Sequence, residues 1–270
     1  MISFPHAKIN LGLSIISKRT DGFHNIETIF YPLPILDVLE IVPSEKTEFF
    51  SSGLPIAGVP DDNLVMLAYK LIKTKFPQIA PLEIYLHKSI PMGAGLGGGS
   101  SDAAGILHLI NKLFNLQISR QKLNDYALEL GSDCPFFMQP APCIAKGRGE
   151  ILEPIALDLS AYSFVLVHPD IMIETAWAYS SIIPSLPKYD LKKSILQPIQ
   201  NWVNTIQNDF ELPVFEVYPG LQKIKEKLYT SGAVYAAMTG SGSTIFGIFK
   251  KSDQPVSFEV ENARQTWINC

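Results

Sequence analysis

The stretch PMGAGLGGGSSDAAG, residues 91–105, limits how this 270-residue chain can fold more than any other feature. It places six glycines and two serines directly ahead of a strongly apolar run. Glycine costs roughly 0.5–1 kcal/mol relative to alanine inside regular structure, so glycines at this density indicate a backbone conformation that side chains would forbid. Residues 91–101 are called the first glycine turn below.

The elements predicted on either side of the first glycine turn indicate what that backbone holds. LEIYLHK, residues 82–88, alternates apolar and polar side chains as a strand does, and the apolar spacing from Ser101 onward predicts a buried helix. A strand, a glycine turn and a helix in this order bring backbone N–H groups and the positive helix end to one point, which suits a phosphate.

The first glycine turn also allows three other interpretations. No lysine follows the glycines, which excludes the common NTPase P-loop. The stretch fits G-x-G-x-x-G, but the flanking units are not βαβ, which disfavours a dinucleotide site. A tightly packed turn without a ligand stays open at this point.

The remaining patterns predict a chain of mixed helices and strands. KINLGLSII (8–16) reads as a strand with Lys8 and Asn10 on its polar face, and Asp21-Gly22 as a hairpin turn. Helices are expected at 63–76, capped by Asp61 or Asp62, and at 119–130, capped by Ser119 and closed by a left-handed Gly131. Later elements are a strand at 164–168, helices near 174–183, 195–208 and 219–230, and strands near 233–238 and 244–249.

Composition excludes several functional classes. The chain is 47% hydrophobic and 18% charged with a net charge of −4, values typical of a globular protein and without the basic field that nucleic acids require. Cys134, Cys143 and Cys270 form no C-x-x-C pair, which argues against a disulfide framework and a cysteine zinc site. The histidines show no paired spacing for zinc. We therefore expect a cytoplasmic protein with no membrane or nucleic-acid partner and no protein-held metal, because the sequence also lacks a signal-peptide pattern and an apolar run of about eighteen residues.

The first glycine turn resembles that of the GHMP small-molecule kinases, P-x-x-x-G-L-G-G-G-S-S. Two further signatures of this family occur in the family's order along the chain, AKINL (7–11) before the turn and MTGSGSTIF (238–246) after it. The resemblance implies an α+β two-lobed GHMP kinase fold, with a ribosomal-protein-like N-terminal lobe over 1–158 and a ferredoxin-like C-terminal lobe over 159–270. It also implies that ATP, carrying Mg²⁺, is bound at the glycine turn. RTDGFH (19–24) and GSDCPFF (131–137) narrow the resemblance to members that phosphorylate a CDP-linked methylerythritol.

The resemblance assigns roles to individual residues. Lys8 and Asp133 would be catalytic, although an exposed strand lysine and a helix cap are their ordinary alternatives. The residues implied in ATP binding are Pro91, Met92, Gly93, Ala94, Gly95, Leu96, Gly97, Gly98, Gly99, Ser100, Ser101, Asn63 and Lys88. Those implied in acceptor binding are Asn10, Phe23, His24, Tyr179, Thr239, Gly240 and Ser241.

Two departures from the family pattern and two alternative functions accompany this prediction. Phe23 stands where tyrosine is frequent, and Ser241 where threonine is more common. Residues 239–242 are called the second glycine turn, and we expect this turn to face the first glycine turn. The alternatives are a kinase for homoserine or a mevalonate-type alcohol, and a catalytically silent ATP-binding protein. Lys8 and Asp133 together favour a kinase.

Cys134, beside Asp133, is interpreted as a small buried hydrophobe because no histidine constellation supports a nucleophile.

Overall fold

The computed structural model describes residues 1–251 and 263–269, and these form two compact units. The first unit comprises Met1–Lys8, Pro34–Met92 and Gly97–Pro140; the second comprises Ile9–Leu33, Gly93–Leu96 and the chain from Ala141 onward. Each unit therefore takes in more than one stretch of the chain. The lobe boundary between residues 158 and 159 stays a prediction, and Cys270 lies outside the described residues.

The described strands run through both units. They are β1 (Ile2–Ser3), β2 (His6–Lys18), β3 (His24–Leu36), β4 (Val38–Pro43), β5 (Glu48–Gly53), β6 (Leu82–Lys88), β7 (Cys143–Gly147), β8 (Ile151–Pro154), β9 (Tyr162–Pro169), β10 (Tyr235–Met238), β11 (Ile245–Lys250) and β12 (Ala263–Asn269).

The described helices alternate with groups of strands along the chain. They are α1 (Leu64–Lys75), α2 (Gly98–Leu113), α3 (Arg120–Leu130), α4 (Cys134–Phe137), α5 (Thr175–Ser180), α6 (Leu191–Ile195), α7 (Trp202–Thr205), α8 (Glu211–Val217) and α9 (Pro219–Thr230). Short 3₁₀ turns occupy Pro60–Asp62 and Ile199–Asn201.

The first unit combines one mixed sheet with a layer of helices. Its strand order is β1-β4-β6-β5, with β4 antiparallel and β5 parallel to β6. α1 packs against α2, and side chains such as Ile72 and Ile106 are fully buried. α2 also packs against β4, which pairs with β6, so the two elements that flank the first glycine turn belong to one packed unit.

The second unit contains two four-stranded sheets. Their orders are β2-β3-β7-β8 and β10-β11-β9-β12, and β9, β10, β11 and β12 pair antiparallel. An apolar cluster that includes Leu13, Val167, Phe210, Leu221 and Phe249 lies within this unit. Helices and sheets occur together in both units, as an α+β fold requires. Among the described residues, no helix combines the length and the apolarity needed to cross a membrane.

Local sequence patterns predicted several elements closely. β6 occupies the predicted residues 82–88, β10 and β11 match the two predicted strands, and α9 begins and ends where expected. The Ser119 side chain accepts a hydrogen bond from Lys122 N and caps α3, as predicted. Turn chemistry was also right at Asp21-Gly22, where Gly22 has φ +86° between β2 and β3.

Other local predictions were wrong. Asn63, not Asp61 or Asp62, caps α1, because the aspartates belong to a preceding 3₁₀ turn. Gly131 is extended at φ 174°, so no left-handed residue closes α3.

Two predicted helices also differ in extent, and several strands were not predicted. α2 begins at Gly98 rather than Ser101. The single helix predicted at 195–208 is broken into α6, a 3₁₀ turn and α7, since Pro198 cannot donate a helical hydrogen bond. The strands that the sequence analysis did not predict are β1, β4, β5, β7, β8 and β12.

Candidate active site

The first glycine turn presents backbone amides rather than side chains. Gly93, Gly95 and Gly97 have φ of +64°, +76° and +72°, and Gly97 is the N-cap of α2 without a side-chain cap hydrogen bond. Left-handed residues can direct backbone N–H groups toward an anion, and the first turn of a helix leaves further amides without an intrahelical partner. The conformation predicted from the glycine density is thus present, and it suits an anion.

Lys8 and Asp133 form an ion pair within the first unit. Lys8 Nζ lies 3.3 Å from Asp133 Oδ2, and the side chains are 5% and 31% exposed. Lys8 is buried, so the polar strand face predicted from KINLGLSII is not a solvent face. Asp133 occupies the N-cap position of α4, yet its carboxylate makes no capping hydrogen bond. The ordinary alternatives, an exposed lysine and a helix cap, therefore do not describe these side chains.

The start of α2 lies beside this pair. A Cβ placed on Gly97 would lie 3.1 Å from Cγ of Lys8 and 2.7 Å from Cζ of Phe137. The aliphatic stem of Lys8 consequently passes along the helix N-terminus before its ammonium meets Asp133. An alcohol held at Asp133 and an anion held by the α2 amides would share one neighbourhood.

The second glycine turn contacts the first, as predicted from the sequence. Thr239 Oγ1 donates to Gly95 O over 3.0 Å and accepts from Asn10 N at 3.0 Å. Asn10 is buried, and its Nδ2 donates to Thr28 Oγ1 at 3.0 Å. Asn10 and Thr239 thus hold the two turns against each other within the second unit.

The far side of the second turn is fixed by one residue that sequence inspection missed. Asn208 Nδ2 donates to Met238 O and to Gly240 O, each over 2.8 Å. Ser241 Oγ lies 3.3 Å from Thr175 Oγ1 in α5. Asn208 carries no motif, so no local signal could have identified it.

Aromatic residues predicted to bind the acceptor base gather in the second unit. The rings of His24 and Tyr179 stack with centroids 4.9 Å apart and an interplanar angle of 22°. Phe23 is 48% exposed, and the Arg148 guanidinium lies 4.3 Å from its ring centroid. Because His24 and Tyr179 already touch, a base between them has to separate the two rings. Arg148 was not singled out from the sequence.

The protonation of His24 suits recognition of a neutral base edge. Burial, followed by the nearby Lys18 charge, lowers the pKa of His24 below its ordinary value. The ring is then neutral near pH 7, with one nitrogen as donor and the other as acceptor.

Asn63 and Lys88 occupy defined structural positions in the first unit. Asn63 Oδ1 accepts from Val65 N at 2.9 Å and caps α1. The Lys88 ammonium is enclosed by the carboxylates of Asp37 and Asp102 and is 0% exposed. The side chain of Lys88 therefore faces protein groups, and Asp37 and Asp102 are additions to the residues named from the sequence.

The thiol of Cys134, beside Asp133, is unreactive. Cys134 is fully buried, and burial raises its pKa to about 11 despite a hydrogen bond with Ser100. A thiol needs to ionise to act as a nucleophile. The interpretation of Cys134 as a buried hydrophobe is thereby confirmed. In the part of the chain that the structure describes, no three His, Cys, Asp or Glu residues cluster as metal ligands.

Known proteins match the chain along most of its length. Family models described as the GHMP kinases N terminal domain and the GHMP kinases C terminal match residues 63–140 and 190–268. A 4-diphosphocytidyl-2-C-methyl-D-erythritol kinase of Bacteroides fragilis is 49% identical over 267 residues, which cover 97% of each chain.

Solved structures agree with the sequence matches. A crystal structure of 4-(cytidine 5'-diphospho)-2C-methyl-D-erythritol kinase matches with a TM-score of 0.78 and 31% identity, over 92% of this chain and 89% of that chain. A mevalonate kinase of Methanococcus jannaschii has a TM-score of 0.67 at 13% identity, over 99% and 97% of the two chains, and shares the fold alone. The expected α+β GHMP kinase fold is confirmed.

Proposed function

The chain belongs to the GHMP kinases, and from this premise we propose that it transfers the γ-phosphoryl group of ATP to the 2-hydroxyl of 4-diphosphocytidyl-2-C-methyl-D-erythritol. This acceptor belongs to the non-mevalonate route to isoprenoid precursors, and we place the reaction in the cytoplasm. The observation that carries the proposal is the Lys8–Asp133 pair beside the N-terminus of α2.

Asp133 is the proposed general base, and Lys8 the residue that orients it. Phosphoryl transfer demands little covalent chemistry of the protein, so positioning and charge stabilisation supply most of the acceleration. The Asp133 carboxylate accepts the proton of the acceptor hydroxyl as the new P–O bond forms. The Lys8 ammonium, 3.3 Å from Asp133 Oδ2, fixes the carboxylate and stabilises the charge that develops on the transferred group.

The first glycine turn is the proposed ATP site. Amides of Gly93, Gly95 and Gly97, together with the first turn of α2, donate to the phosphate oxygens. The substrate is MgATP, in which Mg²⁺ is held mainly by phosphate oxygens and water. Asn63 is proposed to border the adenine. The Lys88 ammonium is fully buried between the carboxylates of Asp37 and Asp102, so the predicted contact of its side chain with ATP is not proposed further.

The cytosine of the acceptor is proposed to rest against Phe23, His24 and Tyr179. Neutral His24 matches the donor and acceptor groups of the base, and the stacked ring of Tyr179 supplies an apolar face. Asn10, Thr239, Gly240 and Ser241 are proposed to hold the phosphate end of the same molecule.

An Asp133→Asn variant tests the catalytic assignment. We expect loss of turnover by at least about 100-fold, the lower end of the range for a lost general base, with ADP affinity nearly unchanged. Asp125→Asn is the matched control, because the Asp125 side chain on α3 is 46% exposed and contacts neighbouring residues of the same helix, Gln121 and Lys122. Normal turnover in Asp133→Asn would refute the role of Asp133.

A coupled ADP-release assay over four acceptors tests the substrate. The CDP-linked methylerythritol is expected to be phosphorylated, while free methylerythritol, homoserine and mevalonate are not. His24→Ala should raise KM for the CDP-linked acceptor and leave KM for ATP unchanged. Turnover of homoserine or mevalonate that does not depend on His24 would instead support the alternative kinases, and ADP binding without turnover of any acceptor would support a silent binder.

A further inference from the structure

Three charged side chains are buried together at the base of the first glycine turn. Lys88 is the last residue of β6 and Asp102 lies in the second turn of α2, so they flank the glycine turn on both sides. Lys88 Nζ donates to Asp102 Oδ2 over 2.8 Å and also to Asp37 Oδ2, and all three side chains are at most 2% exposed. Burying three ionisable groups carries a desolvation cost that ion pairing often fails to recover.

Asp37 also holds the backbone that enters the turn. Its Oδ1 accepts from Ser89 N at 2.6 Å and from Ile90 N at 2.9 Å. Asp37 thus fixes the chain immediately after β6, while Lys88 reaches the helix that follows the turn. The cluster joins the two ends of a segment whose glycines leave it free to adopt many conformations.

The geometry points to Asp37, Lys88 and Asp102 as a positioning clamp that sets the distance between β6 and α2, and through it the aim of the α2 amides at the phosphates of ATP. This inference rests on the proposed function for its ligand. None of the three is a catalytic residue, because each acts through the turn it holds. Misplacing a reacting group by about 1 Å costs roughly 100-fold in rate. A rigid cluster that holds both ends of a flexible turn therefore increases the rate of the reaction.

Asp102 shows that the cluster is not arranged for stability alone. Its Oδ1 has no hydrogen-bond partner among the described residues, a cost that a purely structural pair would avoid. Burial raises the pKa of Asp102 to about 8; Lys88, from β6, opposes the shift and Asp37, from between β3 and β4, adds to it. Near pH 7 Asp102 is mostly neutral while its Oδ2 still accepts from Lys88.

Calorimetric titration with ADP tests the clamp in the full-length chain. Asp102→Ala removes the tether and should weaken ADP binding about tenfold, the effect of losing one charge-assisted hydrogen bond. Asp102→Asn should restore most of the affinity, because an amide oxygen still accepts from Lys88. Asp125→Ala on α3 serves as the control, and its ADP affinity should equal that of the wild type.

The outcomes separate the clamp from the proposed function. A wild type that does not bind ADP would overturn the ATP site itself, whereas equal ADP affinity in wild type and Asp102→Ala would overturn only the clamp. Equal losses in Asp102→Ala and Asp102→Asn would also overturn it, since the tether would then be irrelevant.

A variant that fails to fold does not end the test. If Asp102→Ala is unfolded, Asp102→Ser takes its place, because its shorter hydroxyl side chain keeps a polar group in the pocket and removes the carboxylate that accepts from Lys88. ADP affinity in Asp102→Ser should fall about tenfold below that of Asp102→Asn. Equal affinities in these two variants would overturn the clamp.

Discussion

Replacing Gly95 with alanine should damage nucleotide binding far more than the same change at Gly93, two residues earlier. Both glycines have left-handed φ, +76° and +64°, so alanine costs each position about 1–2 kcal/mol of backbone strain. They differ in surrounding space. A Cβ on Gly93 meets no atom within 4 Å, whereas a Cβ on Gly95 lies 2.1 Å from the carbonyl oxygen of Thr239.

The obstacle at Gly95 is main chain and cannot rotate away. Cβ atoms essentially never approach other atoms within 3.0 Å, so one of the two glycine turns has to move by about 1 Å. Thr239 is held by its N–H bond to Thr244 O, 3.0 Å, and by its hydroxyl bond to Gly95 O. A displacement of that size in a phosphate-binding turn corresponds to about a 100-fold loss in kcat/KM for ATP.

The pair is assayed by coupled ADP release at varied ATP and by thermal unfolding. Gly93→Ala should lower Tm by about 2–8 °C, the shift that 1–2 kcal/mol produces in a chain of this size, and reduce kcat/KM only a few-fold. Gly95→Ala should show the same strain plus the large catalytic loss. Equal kcat/KM in the two variants would refute the argument that contact with Thr239 positions the first turn.

Three further outcomes are expected from other parts of the molecule. Ser119→Ala should destabilise the protein by about 1 kcal/mol, measured by urea unfolding, because it removes the cap of α3. Iodoacetamide at pH 7.5 should leave Cys134 unmodified in the folded protein and label it after denaturation, as peptide mass spectrometry will report, since its pKa is about 11. The free energy of unfolding of the wild type should fall relative to that of Asp102→Asn as pH rises from about 4 to about 8. The reason is that the folded protein keeps a proton on Asp102, whereas the unfolded chain, in which this group has its ordinary pKa of 3.8, releases it. Parallel pH profiles for the two proteins would contradict this proton uptake.

Much of the fold could be read from neighbouring residues. Alternation over residues 82–88 predicted β6, and the Ser119 hydroxyl predicted where α3 begins. Glycine density predicted a backbone that side chains would forbid, and Gly93, Gly95 and Gly97 are left-handed. The motif resemblance also predicted part of the site, because it assigned Lys8 and Asp133 as a pair and their Nζ and Oδ2 atoms lie 3.3 Å apart. Their catalytic role stays a proposal.

The partners of buried polar groups came only from the tertiary structure. Lys88 carries no local mark of its carboxylates, which lie 51 and 14 residues away along the chain. Asn208 likewise donates to carbonyl groups of Met238 and Gly240, which lie 30 and 32 residues further along the chain. Backbone propensity depends on residues a few positions apart, whereas a buried charge or amide takes whichever partner the folded chain brings within about 3 Å, and that choice is made by the whole packed core.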